Sequence, residues 1–145
     1  MSVERTPGEF VDTNVLIYAF DSTAGDKRRI AVELISRLWL DRAGCLSLQV
    51  LQEFYVAATR KLVLAPEQAV LQVSRFGRWR VHRPSVEDVM GAIELHRGHS
   101  VSFWDGLILR SAQASNCSVL WSEDLSSGQR WGSLEVRNPF QVSAT

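Results

Sequence analysis

The most apolar run of this chain is Phe10-Val11-Asp12-Thr13-Asn14-Val15-Leu16-Ile17-Tyr18-Ala19-Phe20-Asp21, residues 10–21, and it carries Asp12 and Asn14 inside it. A carboxylate among such neighbours is costly to bury unless its charge is compensated. Asp12 therefore either caps the helix that follows it or meets a cation. The other acidic residues of the chain decide between these two roles.

Length and composition predict one domain, residues 1–145, with a substantial core, because 46% of the 145 residues are apolar. The 16 basic and 16 acidic residues balance, so any surface that binds nucleic acid has to be local. The two cysteines, Cys45 and Cys117, are far apart and form no CxxC pair. We expect buried free thiols and no structural zinc site.

No feature of the sequence predicts a membrane protein. The N-terminal stretch Met1–Glu9 is polar and lacks the apolar centre of a signal peptide. No apolar run reaches the length that a membrane span needs. We therefore expect a cytoplasmic protein.

Short apolar strands alternate with helical patterns along the chain. Strands are predicted at Glu9–Val11, Cys45–Leu48, Trp79–His82, Cys117–Trp121 and Leu134–Val136. A short helix through Phe20 is predicted, with Thr13 or Asn14 as its cap. Longer helices are predicted over Lys27–Arg42, which Gly44 ends, over about Gln49–Leu62 and over Pro66–Phe76. Ser85 is the predicted N-cap of a helix that ends near Gly98, and Ser102 caps a helix from Phe103 to about Ser115. This alternation predicts an α/β fold with a mostly parallel sheet of 4–5 strands, covered on both faces.

Four carboxylates are predicted to meet at one edge of that sheet. Asp12 and Asp124 come just after two strands. Glu53 and Asp105 lie early in helices whose first turns are at the carboxyl ends of strands, where sites form in open α/β sheets. Two like charges ~4 Å apart repel by about 4 kcal/mol at an effective dielectric near 20, so four ionised groups need cations. Oxygen ligands alone point to Mg²⁺ or Mn²⁺.

Each acid also has a purely structural interpretation. Asp12 could be a cap, and Asp105 stands three residues after Ser102, as in a capping box. Asp124 could be a turn residue. Glu53 is predicted to project close to an apolar helix face, where a lone glutamate is disfavoured, although a slightly rotated helix would place it at the surface.

The ordered motifs resemble the PIN-domain ribonucleases, and most closely the VapC-type toxins of bacterial toxin–antitoxin pairs. The matching segments are Phe10-Val11-Asp12-Thr13-Asn14-Val15-Leu16, Ser47-Leu48-Gln49-Val50-Leu51-Gln52-Glu53-Phe54-Tyr55, Ser102-Phe103-Trp104-Asp105-Gly106-Leu107-Ile108, Leu120-Trp121-Ser122-Glu123-Asp124-Leu125 and Val136-Arg137-Asn138-Pro139-Phe140. The resemblance implies a three-layer α/β/α PIN-like fold. One departure is Gly106, where close relatives often carry Ala, and a Gly inside a helix costs ~0.5–1 kcal/mol relative to Ala.

The resemblance also implies a site and a function. Asp12, Glu53, Asp105 and Asp124 match the family's acidic metal-site positions, and Asn14 and Ser122 match polar positions that support them. The implied activity is Mg²⁺- or Mn²⁺-dependent endoribonuclease cleavage that leaves a 5′-phosphate and a 3′-hydroxyl. The implied partners are an RNA substrate, a VapB-like antitoxin and a second copy of the chain.

Three rival functions are weighed against these residues. A haloacid-dehalogenase-like phosphatase needs a second Asp where this chain has Asn14, and a receiver domain needs a Lys where Arg137 stands. A catalytically silent PIN-like module that binds RNA or protein stays open as the alternative. Lys27, Arg28 and Arg29 begin a helix near the first strand's exit and are candidate phosphate contacts.

Overall fold

Six short strands and six helices make up the described part of the chain, residues 7–141 of a computed structural model. The strands are β1 (Gly8–Val11), β2 (Gly44–Ser47), β3 (Arg80–His82), β4 (Cys117–Trp121), β5 (Arg130–Trp131) and β6 (Leu134–Arg137). The helices are α1 (Thr13–Tyr18), α2 (Asp26–Asp41), α3 (Leu48–Arg60), α4 (Pro66–Phe76), α5 (Val86–Gly98) and α6 (Phe103–Ala114). The polar stretch Met1–Glu9 lies mostly outside the described residues.

The strands form one sheet in the order β3-β2-β1-β4-β6-β5. All neighbouring pairs are parallel except β5 and β6, so the predicted mostly parallel α/β sheet is confirmed. The predicted number of 4–5 strands is wrong, since the sheet has six. The missed strand, β5, has two residues and turns back into β6 through Gly132, which has a φ of +66°. A strand of two residues is too short to show an apolar alternation.

Helices cover both faces of the sheet. Helices α1, α2, α3 and α4 pack against one another, and α2 and α3 contact β2. Helix α6 contacts β2 and β4, and α5 packs against α6. Because all four residues of β2 are buried, the predicted three-layer arrangement is confirmed. No helix within residues 7–141 is both long enough and apolar enough to cross a membrane.

The predicted helix ends lie within two residues of the observed ends, but two of the residues predicted to cap or end a helix are wrong. Helix α1 begins at Thr13 and is capped by Asp12, whose Oδ1 accepts a 2.8 Å hydrogen bond from the Thr13 N–H; neither Thr13 nor Asn14 is the cap. Helix α2 ends at Asp41, and its C-cap Arg42 adopts the left-handed conformation, so Gly44 is not the residue that ends it. Gly44 belongs to β2, where a Cβ atom would overlap the ring of Trp79.

Candidate metal centre

The strand order places a crevice between the carboxyl ends of β1 and β4. From β1 the chain extends the sheet through β2 to β3 on one side, and it then crosses to β4 on the other side. Such a reversal of strand order opens a crevice beyond the strand ends, and ligands bind there in open α/β sheets. Asp12 follows β1 directly, and Ser122 and Asp124 follow β4. The two strand ends therefore bring these three side chains to the same crevice.

Asp12 is buried, with 6% of its surface exposed, and is held by hydrogen bonds on both oxygens. The Thr13 N–H donates to Oδ1. The Ser122 hydroxyl donates to Oδ2 at 2.8 Å, and the Asn14 amide donates to the same oxygen at 3.3 Å. A carboxylate has about four acceptor positions, so three bonds fix its orientation and leave one lone pair for a further ligand.

Asn14 joins the acids that follow β1 and β4. Its Nδ2 donates to Asp124 at 3.1 Å and lies 3.5 Å from the Ser122 hydroxyl, and its Oδ1 accepts from the Glu123 N–H at 3.2 Å. One neutral amide thus bridges Asp12 and Asp124. It orients both carboxylates without neutralising either charge.

Asp12 is harder to ionise than an ordinary aspartate. Its pKa is raised from 3.8 to about 6, mainly by burial and in smaller part by the charges of Glu53 and Asp124, while hydrogen bonds from Ser122 and Thr13 oppose the increase. An anion in this position is stabilised when a cation is bound beside it. The site is therefore an electrostatic match for a positively charged ligand.

Glu53 joins the site by a different route from the one predicted. Helix α3 buries Val50, Phe54 and Ala58, whereas Glu53 and Val56 are exposed. The expectation that Glu53 projects close to the apolar face is wrong, because Glu53 and its neighbour Val56 both face solvent. Glu53 instead accepts a 2.9 Å hydrogen bond from the hydroxyl of Thr13, the residue next to Asp12.

Asp105 is half-buried in the first turn of α6. Its N–H donates to the Ser102 hydroxyl at 3.0 Å, so the predicted Ser102 cap is confirmed. The side chain of Gln49 lies 3.5 Å from the carbonyl of Trp104 and connects the start of α3 to the start of α6. Among the described residues, no hydrogen bond or ion pair engages the Asp105 carboxylate. The contacts thus bring Asp12, Asp124 and Glu53 together, while Asp105 stands on the neighbouring helix.

The donor chemistry of these side chains fits a hard divalent cation. Carboxylate, hydroxyl and amide oxygens are the ligands that Mg²⁺ and Mn²⁺ prefer. Within residues 7–141, no group of three acidic, histidine or cysteine side chains forms a ready-made cage for one ion. The residues therefore supply suitable oxygens and negative charge, with two oriented acids at the crevice and two more on adjoining helices.

The predicted cationic triplet is largely engaged within the protein. Lys27 forms a 2.5 Å ion pair with Glu123, and Arg29 pairs with Asp26 and Glu33. Arg28 has no such partner among the residues that the structure describes. Lys27 therefore steadies the loop that carries Asp124, because Glu123 is the preceding residue.

Three further residues at this site were missed in the sequence. Thr13 connects Asp12 to Glu53, and its position in the Asp-Thr-Asn motif was the available signal. Arg60 and Lys61 line a surface depression of about 490 Å³ together with Glu53, Val56 and Ala57. Their spacing of seven and eight residues from Glu53 puts them two turns along the same helix face.

Comparisons with known proteins agree with this architecture. The model of the PIN domain family matches residues 10–126. No curated protein sequence matches the chain.

Several solved structures share the fold. A chain of a toxin–antitoxin complex from Klebsiella pneumoniae is similar with a TM-score of 0.69 and 19% identity, covering 93% of this chain and 100% of that one. A chain of DNA-bound VapBC from Salmonella typhimurium is similar with a TM-score of 0.64 and 21% identity, over 92% and 99% of the two chains. A VapC toxin from Mycobacterium tuberculosis that cleaves the sarcin–ricin loop is similar with a TM-score of 0.58 and 18% identity, covering 78% of this chain and 87% of that one. At these identities the likeness establishes the fold.

Proposed function

This chain belongs to the PIN domain family, and from that premise we propose that it is a Mg²⁺- or Mn²⁺-dependent endoribonuclease that acts as the toxin of a toxin–antitoxin pair. The observation that carries the proposal is the state of Asp12, a buried carboxylate oriented by three hydrogen bonds and facing two further negative charges. The proposal treats residues 1–145 as a single PIN domain located in the cytoplasm.

The proposed metal ligands are Asp12, Asp105, Asp124 and Glu53. Bound divalent ions would supply a hydroxide near neutral pH and charge stabilisation at the phosphate. Asp12 serves as the fixed ligand because Ser122 and Thr13 lock its carboxylate. Asn14 holds Asp124 in line with Asp12. Glu53 has one oxygen bonded by Thr13 and its other oxygen free among the described residues, which suits it to orient an attacking water or to hold a second ion.

Two features beside the acids support RNA as the substrate. Arg60 and Lys61 lie along the depression that contains Glu53 and form no ion pair within residues 7–141, so both charges are available to phosphates. Trp104, next to Asp105, is 62% exposed. An exposed aromatic ring of this kind offers a stacking surface for an unpaired base.

The decisive experiment is cleavage of single-stranded RNA by the purified chain. We expect cleavage with Mg²⁺ or Mn²⁺, no cleavage in EDTA, and none with Asp12→Asn in either condition. The products should carry a 5′-phosphate, and sequencing the 5′ ends of RNA after induction in cells would identify the target. A wild-type chain that binds RNA but never cuts it would favour the alternative, a silent PIN-like binding module.

The proposed partners are a VapB-like antitoxin and a second copy of the chain. The solved relatives include VapBC complexes. In this chain, large apolar side chains stay exposed near the acids, including Val56, Leu48 and Tyr55 on α3 and Trp104 on α6, and a protein that covers them would also cover the site. Light scattering of the isolated chain tests the dimer. Suppression of RNA cleavage by an added VapB-like protein tests the antitoxin.

A further inference from the structure

Two cysteine sulfurs meet above Gly8, at the opposite end of the sheet from the acids. Cys45 lies in β2 and Cys117 in β4, the strands that flank β1 on its two sides. Cys117 pairs with Gly8 in register, and Cys45 pairs with Phe10. A Cβ atom at Gly8 would overlap the sulfur of Cys45 and would lie 3.3 Å from that of Cys117. The missing side chain of Gly8 therefore leaves a space toward which both thiols point.

This pair is poorly placed for a direct disulfide. Strands β2 and β4 are separated by β1, so two strand spacings of about 4.8 Å alone put the Cα atoms of Cys45 and Cys117 at least about 9–10 Å apart. A disulfide needs Cα atoms within about 7 Å. A bridging atom relaxes this limit, because it inserts two bonds of about 2.3 Å between the sulfurs.

The two thiols differ in how readily they lose a proton. A hydrogen bond from Cys117 and the charge of Arg80 lower the pKa of Cys45 against the effect of burial, and the same hydrogen bond and burial raise the pKa of Cys117. Arg80 places a guanidinium nitrogen 3.3 Å from the point where a Gly8 Cβ would stand. Both thiols are thus exposed to charges of opposite sign, from Arg80 and from Glu9.

Ligand number narrows the class of ion. No third histidine, cysteine or carboxylate completes a metal-binding group with the two thiols in residues 7–141, whereas structural zinc takes four ligands. Thiolates select soft ions such as Cu⁺. We propose that Cys45 and Cys117 form a two-coordinate site for a soft monovalent cation, Cu⁺ or Ag⁺, seated over Gly8.

An approach to this site exists from the surface. A cavity of about 630 Å³ is lined by Arg80 itself and by Pro7 and Asn116, the chain neighbours of Gly8 and Cys117. The thiols lie beneath these lining residues, with Cys45 fully buried and Cys117 2% exposed. The site is independent of the proposed nuclease function, because Gly8 and Cys117 begin the strands whose far ends lead to Asp12 and Asp124.

The first test is titration of the reduced, metal-free chain with Cu⁺ under anaerobic conditions, in competition with a chromophoric Cu⁺ chelator. We expect one ion per chain, release of two protons and a thiolate-to-metal charge-transfer band. Cys45→Ser and Cys117→Ser should each weaken binding by about 100-fold. Gly8→Ala retains both thiols but places a methyl group in the space that they face, so this variant should also fail to bind the ion. Asp12→Asn is the matched control at the other end of the sheet and should bind Cu⁺ as the wild type does.

Thermal unfolding distinguishes an ion bound at a site of the folded protein from an ion bound by the two thiols of the unfolded chain. An ion that binds the folded state more tightly than the unfolded chain raises the unfolding midpoint. We expect one equivalent of Cu⁺ or Ag⁺ to raise the midpoint of the wild type and not that of either serine variant. A midpoint that is unchanged or lowered, or full affinity retained in a serine variant, overturns the proposal whether or not the chain cleaves RNA.

Discussion

The hydroxyl of Ser122 donates a 2.8 Å hydrogen bond to Asp12 across 110 residues of sequence. The same oxygen accepts from the backbone N–H groups of Asp124 and Leu125 at 3.2 and 3.3 Å. Ser122 is fully buried. One side chain therefore closes the turn after β4 and orients the carboxylate that follows β1.

Ser122→Ala tests this dual role. It leaves the buried N–H of Leu125, the partly buried N–H of Asp124 and one carboxylate oxygen of Asp12 short of a partner, so we expect the free energy of unfolding to fall by about 2 kcal/mol. The pKa of Asp12 should also rise, because the Ser122 bond lowers it. Urea denaturation measures the first effect and the pH profile of RNA cleavage the second. Ser126→Ala is the control, because Ser126 is exposed and its replacement should change the free energy of unfolding by less than about 0.5 kcal/mol. Equal effects of the two variants would contradict the role assigned to Ser122.

The raised pKa of Asp12 predicts how stability depends on pH without metal. Between pH 3.8 and about 6 the unfolded chain has lost the Asp12 proton while the folded chain keeps it. The folded state then binds more protons, so this contribution decreases as pH rises, by about 3 kcal/mol in all. Glu9 and Glu123, whose pKa values are lowered, act in the opposite direction, and the prediction therefore concerns the difference between wild type and Asp12→Asn.

Denaturation of both proteins in EDTA from pH 4 to pH 7 gives that difference. The stability of the wild type should fall relative to Asp12→Asn as pH rises through this range. Mg²⁺ at pH 7 should restore the wild type and have a smaller effect on the variant. Parallel pH curves would show that Asp12 titrates normally.

The fold was predictable where local chemistry and tertiary packing agree. Helix α4 has the predicted bounds of Pro66 and Phe76, because the proline sets its first turn. The sequence could not reveal that Gly44 is kept small by the Trp79 ring from another segment. Gly106 is explained in the same way, since a Cβ there would lie 2.8 Å from the Ala92 carbonyl on α5.

The candidate site was predictable to the extent that topology determines it. Strand ends placed Asp12 and Asp124 at one crevice. The position of Glu53 depended on the rotation of α3, which the deeper burial of Phe54 determines, and apolar spacing alone assigned the wrong face. The convergence of Cys45 and Cys117 depended on strand order, which no sequence pattern specifies.

Asp105→Asn separates chemistry from folding on helix α6. The Asp105 carboxylate has no bonded partner within residues 7–141, so we expect stability to change by less than about 0.5 kcal/mol while cleavage is lost. Ser102→Ala on the same helix removes the cap and should cost ~1 kcal/mol with cleavage retained in folded protein. Denaturation and RNA cleavage on both variants test this pair. Full activity of Asp105→Asn would remove Asp105 from the proposed ligands.

Trp104→Ala should weaken RNA binding without unfolding the protein. A stacked base contributes about 1–3 kcal/mol, so we expect affinity to fall by about 5- to 150-fold, with Trp104→Phe retaining part of it. Binding is measured in the Asp12→Asn background so that the RNA stays intact. Leu40→Ala, at a side chain 85% exposed on α2, is the control for a lost surface hydrophobe. Equal affinity with and without Trp104 would exclude it from the RNA surface.

Salt dependence distinguishes the two candidate phosphate-binding surfaces. Each cation that contacts single-stranded RNA contributes about 0.7 to the slope of log affinity against log salt. Arg60→Ala with Lys61→Ala should therefore reduce the slope by about 1.4, since both charges line the Glu53 depression without an internal partner among the described residues.

The triple variant Lys27→Ala, Arg28→Ala, Arg29→Ala should change the slope less, because two of its three cations already pair with carboxylates. Loss of Lys27 also frees Glu123, beside Asp124, and should impair cleavage more than binding. The slopes are measured by RNA titration in the Asp12→Asn background over a range of KCl concentrations. The opposite result would be a slope reduced by about 2 in the triple variant and unchanged in the variant of Arg60 and Lys61. It would show that the RNA contacts the start of α2 rather than the exposed face of α3.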